Sequence, residues 1–317
     1  MARIAVIDDY QRVSQEMADW SRVSSQAEVV VFDDHLSETS DLVERLKGFN
    51  IVCAMRERTP FPRPLIEQLP DLKLLITTGP RNASIDVAAA NEHGIVVCHT
   101  ASLPTGTPEL TWTLILALAR KIPEETANMR EGRWQTSIGN DLSGKTLGIL
   151  GLGRLGSRVA RVANAFDMSV IAWSQNLTDE RAAECGATRV SKDDLFAQSD
   201  FVTVHLVLSD RTRGLIGADE LDRMKSSAFL VNTSRGPIVQ EPALIHAIEN
   251  NVIAGVGLDV YDTEPLPSEH PYRRLPNVVL TPHIGYVTEE SYRTFYGGIV
   301  EDLEAWLAGD PIRILNP

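Results

Sequence analysis

Three glycines stand in the run Gly151-Leu152-Gly153-Arg154-Leu155-Gly156, directly after the apolar stretch Thr146-Leu147-Gly148-Ile149-Leu150. Their spacing is G-x-G-x-x-G, and the chemistry it serves is the binding of a dinucleotide pyrophosphate. Gly151 would make the tight turn, Gly153 would let backbone approach the phosphates, and Gly156 would let the next helix pack closely on the strand. The free amides and the dipole at the start of that helix would attract the negative charge. A helix is expected at once, because Leu155, Val159, Val162, Ala163 and Phe166 recur at the three-and-four spacing of one buried face. A glycine turn alone occurs in many folds. The strand before it and the helix after it make this a dinucleotide site, with Arg154 and Leu155 among its contacts.

The next diagnostic position lies about twenty residues on, where an acidic residue usually meets the ribose hydroxyls of NAD. Here the strand 169–173 runs into Ser174-Gln175-Asn176. No carboxylate is present to repel a 2′-phosphate, and three hydrogen-bonding side chains are available, although no arginine stands immediately beside them. NADP is therefore favoured over NAD.

These residues need strands to carry them. From residue 1 to about 100, β-rich runs at 4–7, 29–32, 51–54, 72–76 and 95–97 alternate with helical stretches, a pattern that predicts a parallel sheet covered by helices on both faces. This unit has no glycine fingerprint, so its strand ends suit a substrate. Its fourth strand runs out into Thr77-Thr78-Gly79-Pro80-Arg81-Asn82, where open α/β sheets bind ligands. A loop rich in Pro, Gly and Thr then leads to a long helix expected from Pro108 to about Glu131, capped by Thr107 with Glu109 in its first turn. Its first half is apolar nearly all round, which predicts burial between domains or against a second subunit.

The second unit continues with strands at 146–150, 169–173, 201–206, 228–232, 254–260 and 278–280. By the strand-end rule His205, Thr233, Ser234, Arg235, Asp259 and His283 converge on the cofactor crevice. One helix, roughly 288–307, closes the chain. The fold class is thus α/β with two doubly wound parallel sheets, a flavodoxin-like substrate domain (1–102 with 286–317) and a Rossmann cofactor domain (103–285).

The chain has 317 residues, 43% of them hydrophobic, and a formal charge of −13. That acidity argues against nucleic acid or an anionic membrane as a partner, since both call for a basic surface. The first apolar run is too short for a signal peptide and is stopped by Asp8 and Asp9. The most apolar segment, 110–119, has about half the length needed to cross a bilayer. Cys53, Cys98 and Cys185 lack C-x-x-C spacing, so no zinc site or disulfide framework is indicated. They read as reduced core thiols of a cytoplasmic protein.

Three further segments are Val231-Asn232-Thr233-Ser234-Arg235-Gly236, Leu258-Asp259-Val260-Tyr261-Asp262-Thr263-Glu264-Pro265 and Thr281-Pro282-His283-Ile284-Gly285. In this order, with the glycine loop, the chain resembles the D-isomer-specific 2-hydroxyacid dehydrogenases over nearly its whole length. The resemblance implies an oxidoreductase that moves a hydride between NAD(P)H and the C2 carbonyl of a small 2-keto acid, reversibly, to give the D-2-hydroxy acid. Arg235, Glu264 and His283 would be its catalytic residues. The chemistry asks for such groups: a bidentate guanidinium suits a carboxylate and a polarised ketone, an imidazole can protonate the developing alkoxide near neutral pH, and a carboxylate beside it fixes its tautomer.

By the same resemblance Asp259 would meet the nicotinamide carboxamide, while His205, Thr233 and Gly285 would line the cofactor pocket. Gly79, Arg81, Arg235 and His283 would meet the substrate, and a homodimer would form through the helix from Pro108. Two departures stand out. Small residues usually follow the glycine that Gly79 matches, so that backbone amides grip the substrate carboxylate, but here Pro80 has no N–H and Arg81 follows. Either the grip shifts to Arg81 and Asn82, or Arg81 adds a cationic contact for a larger or doubly acidic substrate. After His205 the chain reads Leu206-Val207-Leu208, where a proline is common in the middle. Glu264 counts against formate dehydrogenases, which generally carry glutamine there. No regulatory domain is expected after the closing helix. Glyoxylate, hydroxypyruvate or another short 2-keto acid is then the expected substrate. The alternative is a nucleotide-sensing, corepressor-like protein of the same fold, for which no motif-binding segment is present.

Overall fold

A computed structural model describes residues 1–316. The chain divides into two compact units, Met1–Leu103 together with the chain from Val287 onward, and Pro104–Tyr286.

The first unit holds five strands, β1 (Ala2–Val6), β2 (Ala27–Val31), β3 (Ile51–Ala54), β4 (Leu74–Thr77) and β5 (Val96–His99). They pair in parallel in the order β2-β1-β3-β4-β5, the flavodoxin-like winding. Every residue of β3 and β4 is buried, as expected where helices cover both faces of a parallel sheet. The closing helix Glu289–Leu307 belongs to this unit and is capped by Thr288, whose side chain accepts from the Ser291 amide. Beyond it the chain lies along the edge strand: the His99 amide donates to Arg313 O at 3.1 Å and the Leu315 amide to Val97 O at 2.7 Å. The Arg313 guanidinium anchors this tail on Asp302 at 2.9 Å, Glu301 at 2.7 Å and Gly298 O at 2.8 Å.

The second unit holds β6 (Thr146–Leu150), β7 (Ser169–Trp173), β8 (Thr188–Arg189), β9 (Phe201–Val204), β10 (Phe229–Asn232), β11 (Gly255–Leu258) and β12 (Val278–Leu280). Their parallel order is β12-β11-β10-β9-β6-β7-β8, a Rossmann winding that reverses between β6 and β9. The two-sheet α/β architecture expected from the alternating runs is therefore present. Strand β8 escaped that reading because it has only two residues, both exposed, and no apolar run. Side chains such as Leu147, Ile149, Val202 and Leu230 are wholly buried, each contributing about 1.5–3 kcal/mol.

Three expectations need correction. The helix expected from Pro108 to Glu131 is two helices, Gly106–Ala119 and Ile122–Arg130. They part at Lys121, which is left-handed with φ 51°, and Pro123 cannot supply an amide to continue the first. The first helix begins after Thr105; the Thr107 hydroxyl, expected as its cap, donates instead to Gly285 O at 3.2 Å. The helix Gly156–Ala165 forms directly after the glycine loop, but its buried face is Gly156, Val159, Ala160 and Ala163. Val162 and Phe166 are 37% and 39% exposed, because small residues bring this helix against the sheet and leave no room for larger ones. Phe166 lies on Trp112 instead, 5.2 Å between ring centres. Cys53 and Cys98 are buried and Cys185 half-buried, all free thiols. Among the described residues no helix is long and apolar enough to cross a membrane.

Burial pushes the Asp302 carboxyl up from 3.8 to about 7, outweighing the Arg313 guanidinium beside it. A folded value above the unfolded one means that between those two pH values the native chain holds a proton the unfolded chain has lost, so stability falls as pH rises through that window. Thermal unfolding from pH 4 to 8 should show this decline. Asp302→Asn should remove from it up to ~1.4 kcal/mol per pH unit. A slope that survives intact in the variant would assign the dependence to other groups.

Candidate active site

The glycine loop has three distinct local environments. Gly151 has φ +95°, and a Cβ there would lie 2.7 Å from His205 O. A Cβ on Gly156 would lie 2.1 Å from Gly151 O. Around Gly153 a Cβ would meet nothing within 4 Å. The outer two glycines are thus required by the fold itself, and the middle one leaves backbone open on one side. The helix that follows has no side-chain cap on its first turn, which suits an anion at that end. Arg154 is exposed and Leu155 half-buried beside this opening.

Two other features fit a dinucleotide. His205 Nε2 is shielded from solvent and has no hydrogen-bond partner among the described residues. Burial pulls its imidazole down to about 4, so the ring is neutral at physiological pH. Beyond β7, Ser174 is half-buried and Gln175 and Asn176 are exposed in a turn closed by the Leu177 amide on Ser174 O at 3.1 Å.

The strand ends β10, β11 and β12 carry the polar cluster. After β10, Asn232 organises the turn: its Nδ2 donates to Arg235 O at 2.9 Å and its Oδ1 accepts from the Ser234 amide at 3.0 Å. Ser234 Oγ donates to Leu206 O, and Thr233 Oγ1 pairs with Thr111 Oγ1 at 2.8 Å. The half-buried Arg235 donates from Nη1 to Ser234 O at 2.7 Å. At Gly236 a Cβ would fall 2.1 Å from the Tyr261 carbonyl carbon, so only glycine lets the Arg235 turn lie flat on the Tyr261-Asp262 peptide.

That peptide leads to Glu264. Glu264 Oε1 accepts from the Tyr261 amide at 2.9 Å, and Glu264 Oε2 lies 2.5 Å from His283 Nδ1. His283 is left-handed, φ 53°, a conformation histidine adopts more readily than most residues. It is held there by Asp259, which is 1% exposed. Asp259 Oδ1 accepts from Thr281 Oγ1 at 2.6 Å and the Ile284 amide at 2.8 Å, and Oδ2 from the Gly285 amide at 2.9 Å. Burial nevertheless pushes this carboxyl above its ordinary value. The Tyr261 hydroxyl donates to Thr281 O at 2.8 Å and is also 3.1 Å from Leu258 O. The two segments are therefore tied at both ends.

In the first unit, Gly79 has φ +81° and its amide donates to Thr100 Oγ1 at 2.8 Å. A Cβ at Gly79 would coincide with the Arg56 guanidinium, 1.9 Å from Nη1. Arg81 is exposed and Asn82 buried. Sequence reasoning missed Arg56, Thr100, Tyr261 and Asn232. The pairing of Ala54 with Thr77 sets the end of β3 beside that of β4, and the strand-end rule applied to β3 would have found Arg56.

The profile of the D-isomer specific 2-hydroxyacid dehydrogenase NAD binding domain matches residues 112–285, more than half the chain. The glyoxylate reductase of Aeropyrum pernix is 41% identical over 263 residues, 80% of this chain and 78% of its own. The glyoxylate/hydroxypyruvate reductase B of Yersinia enterocolitica is 39% identical over 251 residues, 77% of each chain. The crystal structure of a phosphoglycerate oxidoreductase from Vibrio cholerae superimposes with a TM-score of 0.93 at 36% identity, covering 98% of this chain and 100% of that one. This chain belongs to the D-isomer specific 2-hydroxyacid dehydrogenase family. It is an NAD(P)-dependent oxidoreductase acting on a CH–OH group, and a purely nucleotide-sensing role is not favoured.

The glycine geometry separates two substitutions. Gly153→Ala should leave the thermal midpoint nearly unchanged and weaken NADH or NADPH binding by about tenfold, read by nucleotide fluorescence. Gly156→Ala should cost ~1–3 kcal/mol of stability through overpacking. Equal destabilisation by both would contradict the division of roles.

Proposed function

We propose that the protein reduces a short 2-keto acid, glyoxylate or hydroxypyruvate, to the D-2-hydroxy acid, with NADPH preferred over NADH. The observation that carries the reading is the 2.5 Å contact between Glu264 and His283 on two strand-end segments locked together by Asp259 and Tyr261. The names of the Aeropyrum and Yersinia relatives support the substrate class.

The loop Gly151 to Gly156, with Arg154 and Leu155, would hold the pyrophosphate, and His205, Thr233, Asp259 and Gly285 would line the rest of the cofactor site. Bound there, the cofactor supplies the hydride for C2. Glu264 occupies His283 Nδ1 and so leaves Nε2 to face the substrate oxygen. In reduction His283 gives its proton to that oxygen as negative charge develops, and in oxidation it takes the proton back. The Arg235 guanidinium holds the substrate carboxylate and polarises the ketone. In the first unit the Gly79 amide is already engaged and Pro80 has none, so the amides of Arg81 and Asn82 and the Arg81 guanidinium are the donors this turn offers to an acid substrate.

The absence of a carboxylate at Ser174, Gln175 and Asn176 supports NADPH. We place the enzyme in the cytoplasm on its three unpaired cysteines, and without a nucleic-acid partner on its charge of −13. A homodimer is supported by the family resemblance and by Leu116, Ile122, Met129, Trp134 and Ile138, which stand exposed on or just after the helices Gly106–Ala119 and Ile122–Arg130.

Loss of reduced-nicotinamide absorbance with glyoxylate, hydroxypyruvate, pyruvate, phenylpyruvate and oxaloacetate, each with NADPH and NADH, tests the whole reading. Turnover of a short keto acid with NADPH ahead of NADH is expected; NADH ahead would overturn the cofactor preference, and oxaloacetate ahead would make Arg81 a contact for a second carboxylate. His283→Ala should lower kcat at least ~100-fold with cofactor affinity within about twofold. Arg235→Ala should raise KM for the acid and lower kcat together. Equal loss of cofactor binding in His283→Ala, or unchanged kinetics in Arg235→Ala, would remove the residue from its role.

A further inference from the structure

The turn after β4 is built almost entirely from side chains that lie outside it or at its ends. The Thr78 amide donates to Ala54 O at 3.1 Å. Asn82 Nδ2 donates to Arg56 O at 2.7 Å and lies 2.9 Å from Thr77 Oγ1, while Asn82 Oδ1 accepts from the Ser84 amide at 2.9 Å. The remaining tie is Thr100, which is wholly buried. Its amide donates to Thr77 O at 3.1 Å, its Oγ1 accepts from the Gly79 amide at 2.8 Å, and its hydroxyl proton goes to Ala101 O at 3.0 Å.

Thr100 is clamped from behind as well. A Cβ on Gly298, in the closing helix, would lie 2.9 Å from Thr100 Cβ, so the helix is cut away at that position to seat the threonine. Gly298 O in turn accepts from Arg313 Nη2 at 2.8 Å. Once these bonds are made, the amides of Arg81 and Asn82 are left without an acceptor among the described residues. The rigid part of the turn and its available donors are thus separated by one proline.

We infer that Thr100 is a positioning residue for substrate binding. By taking the Gly79 amide it holds the turn at φ +81° and presents the amides of Arg81 and Asn82 to the substrate carboxylate. The inference rests on the assignment of this turn to the acid substrate made above. Without the hydroxyl the Gly79 amide is buried and unpaired, and the turn must rotate to satisfy it. That rotation spoils the aim of the two amides that follow.

The test uses three variants of the full chain, with glyoxylate as the probe. Thr100→Val keeps the shape and loses the acceptor; it should raise KM for glyoxylate about tenfold, with a smaller change in kcat and with NADPH affinity within about twofold. Thr100→Ser restores the acceptor and should recover KM to within about threefold of the parent. Gly298→Ala keeps the hydroxyl but displaces Thr100, and should raise KM in the same direction as Thr100→Val. Hydrogen exchange at the Gly79 amide reads the bond directly, slow in the parent and Thr100→Ser and faster in Thr100→Val. An unchanged KM in Thr100→Val, or a serine variant as impaired as the valine one, would overturn the inference. Equal exchange in all three proteins would overturn it whether or not there is turnover. A parent enzyme inactive on every keto acid would instead overturn the substrate assignment, with the exchange data still deciding what Thr100 holds.

Discussion

The carboxylate of Asp259 is the constraint on which the polar strand-end cluster of the second unit depends. It is 1% exposed just past the end of β11 and accepts three hydrogen bonds, two from backbone amides and one from a threonine hydroxyl. Three donors offset much of the cost of burying a carboxylate, yet burial still pushes its pKa upward. The segment from Thr281 to Gly285 is consequently pinned at both ends, with His283 between the pins in a left-handed conformation.

Tyr261 and Gly236 extend that rigidity across the strand ends. The tyrosine links the segment after β11 to Thr281 through its hydroxyl and to Glu264 through its amide, so a single residue sets both members of the carboxylate–imidazole pair. Gly236 lets the Arg235 turn lie on the same peptide without a side chain between them. Three segments far apart in the chain become one hydrogen-bonded body, which is what orientation of reacting groups to fractions of an ångström demands. The first unit reaches a comparable result by other means. There a fully buried threonine and a buried asparagine absorb the polar groups of a turn, and a glycine yields its side-chain volume to an arginine.

Much of this was legible in the residues alone. The alternation of apolar runs indicated two parallel sheets, the glycine spacing marked the tight turn between β6 and the helix after it, and the strand-end rule brought Thr233, Arg235, Asp259 and His283 to one end of the sheet. These signals are local: a strand that is buried on both faces must be apolar, and a tight turn under a helix must be glycine, whatever the rest of the chain does. The helix break at Lys121 did carry a local signal, Pro123, which the single expected helix ran through; the exposure of Val162 and Phe166 was not legible, since it depends on what packs against the helix rather than on its own periodicity.

The sequence by itself thus determined the class of fold, the place of the glycine loop and the identities of the polar groups at the strand ends. Only the tertiary structure decided how those groups are used. It gave Glu264 to His283, set Asp259 to holding the loop that carries His283, and spent the Gly79 amide on Thr100, 21 residues away. The physical reason is that spacing along a chain reports backbone geometry over a few residues, whereas a hydrogen-bond partner is chosen by proximity in space among groups that folding alone brings together.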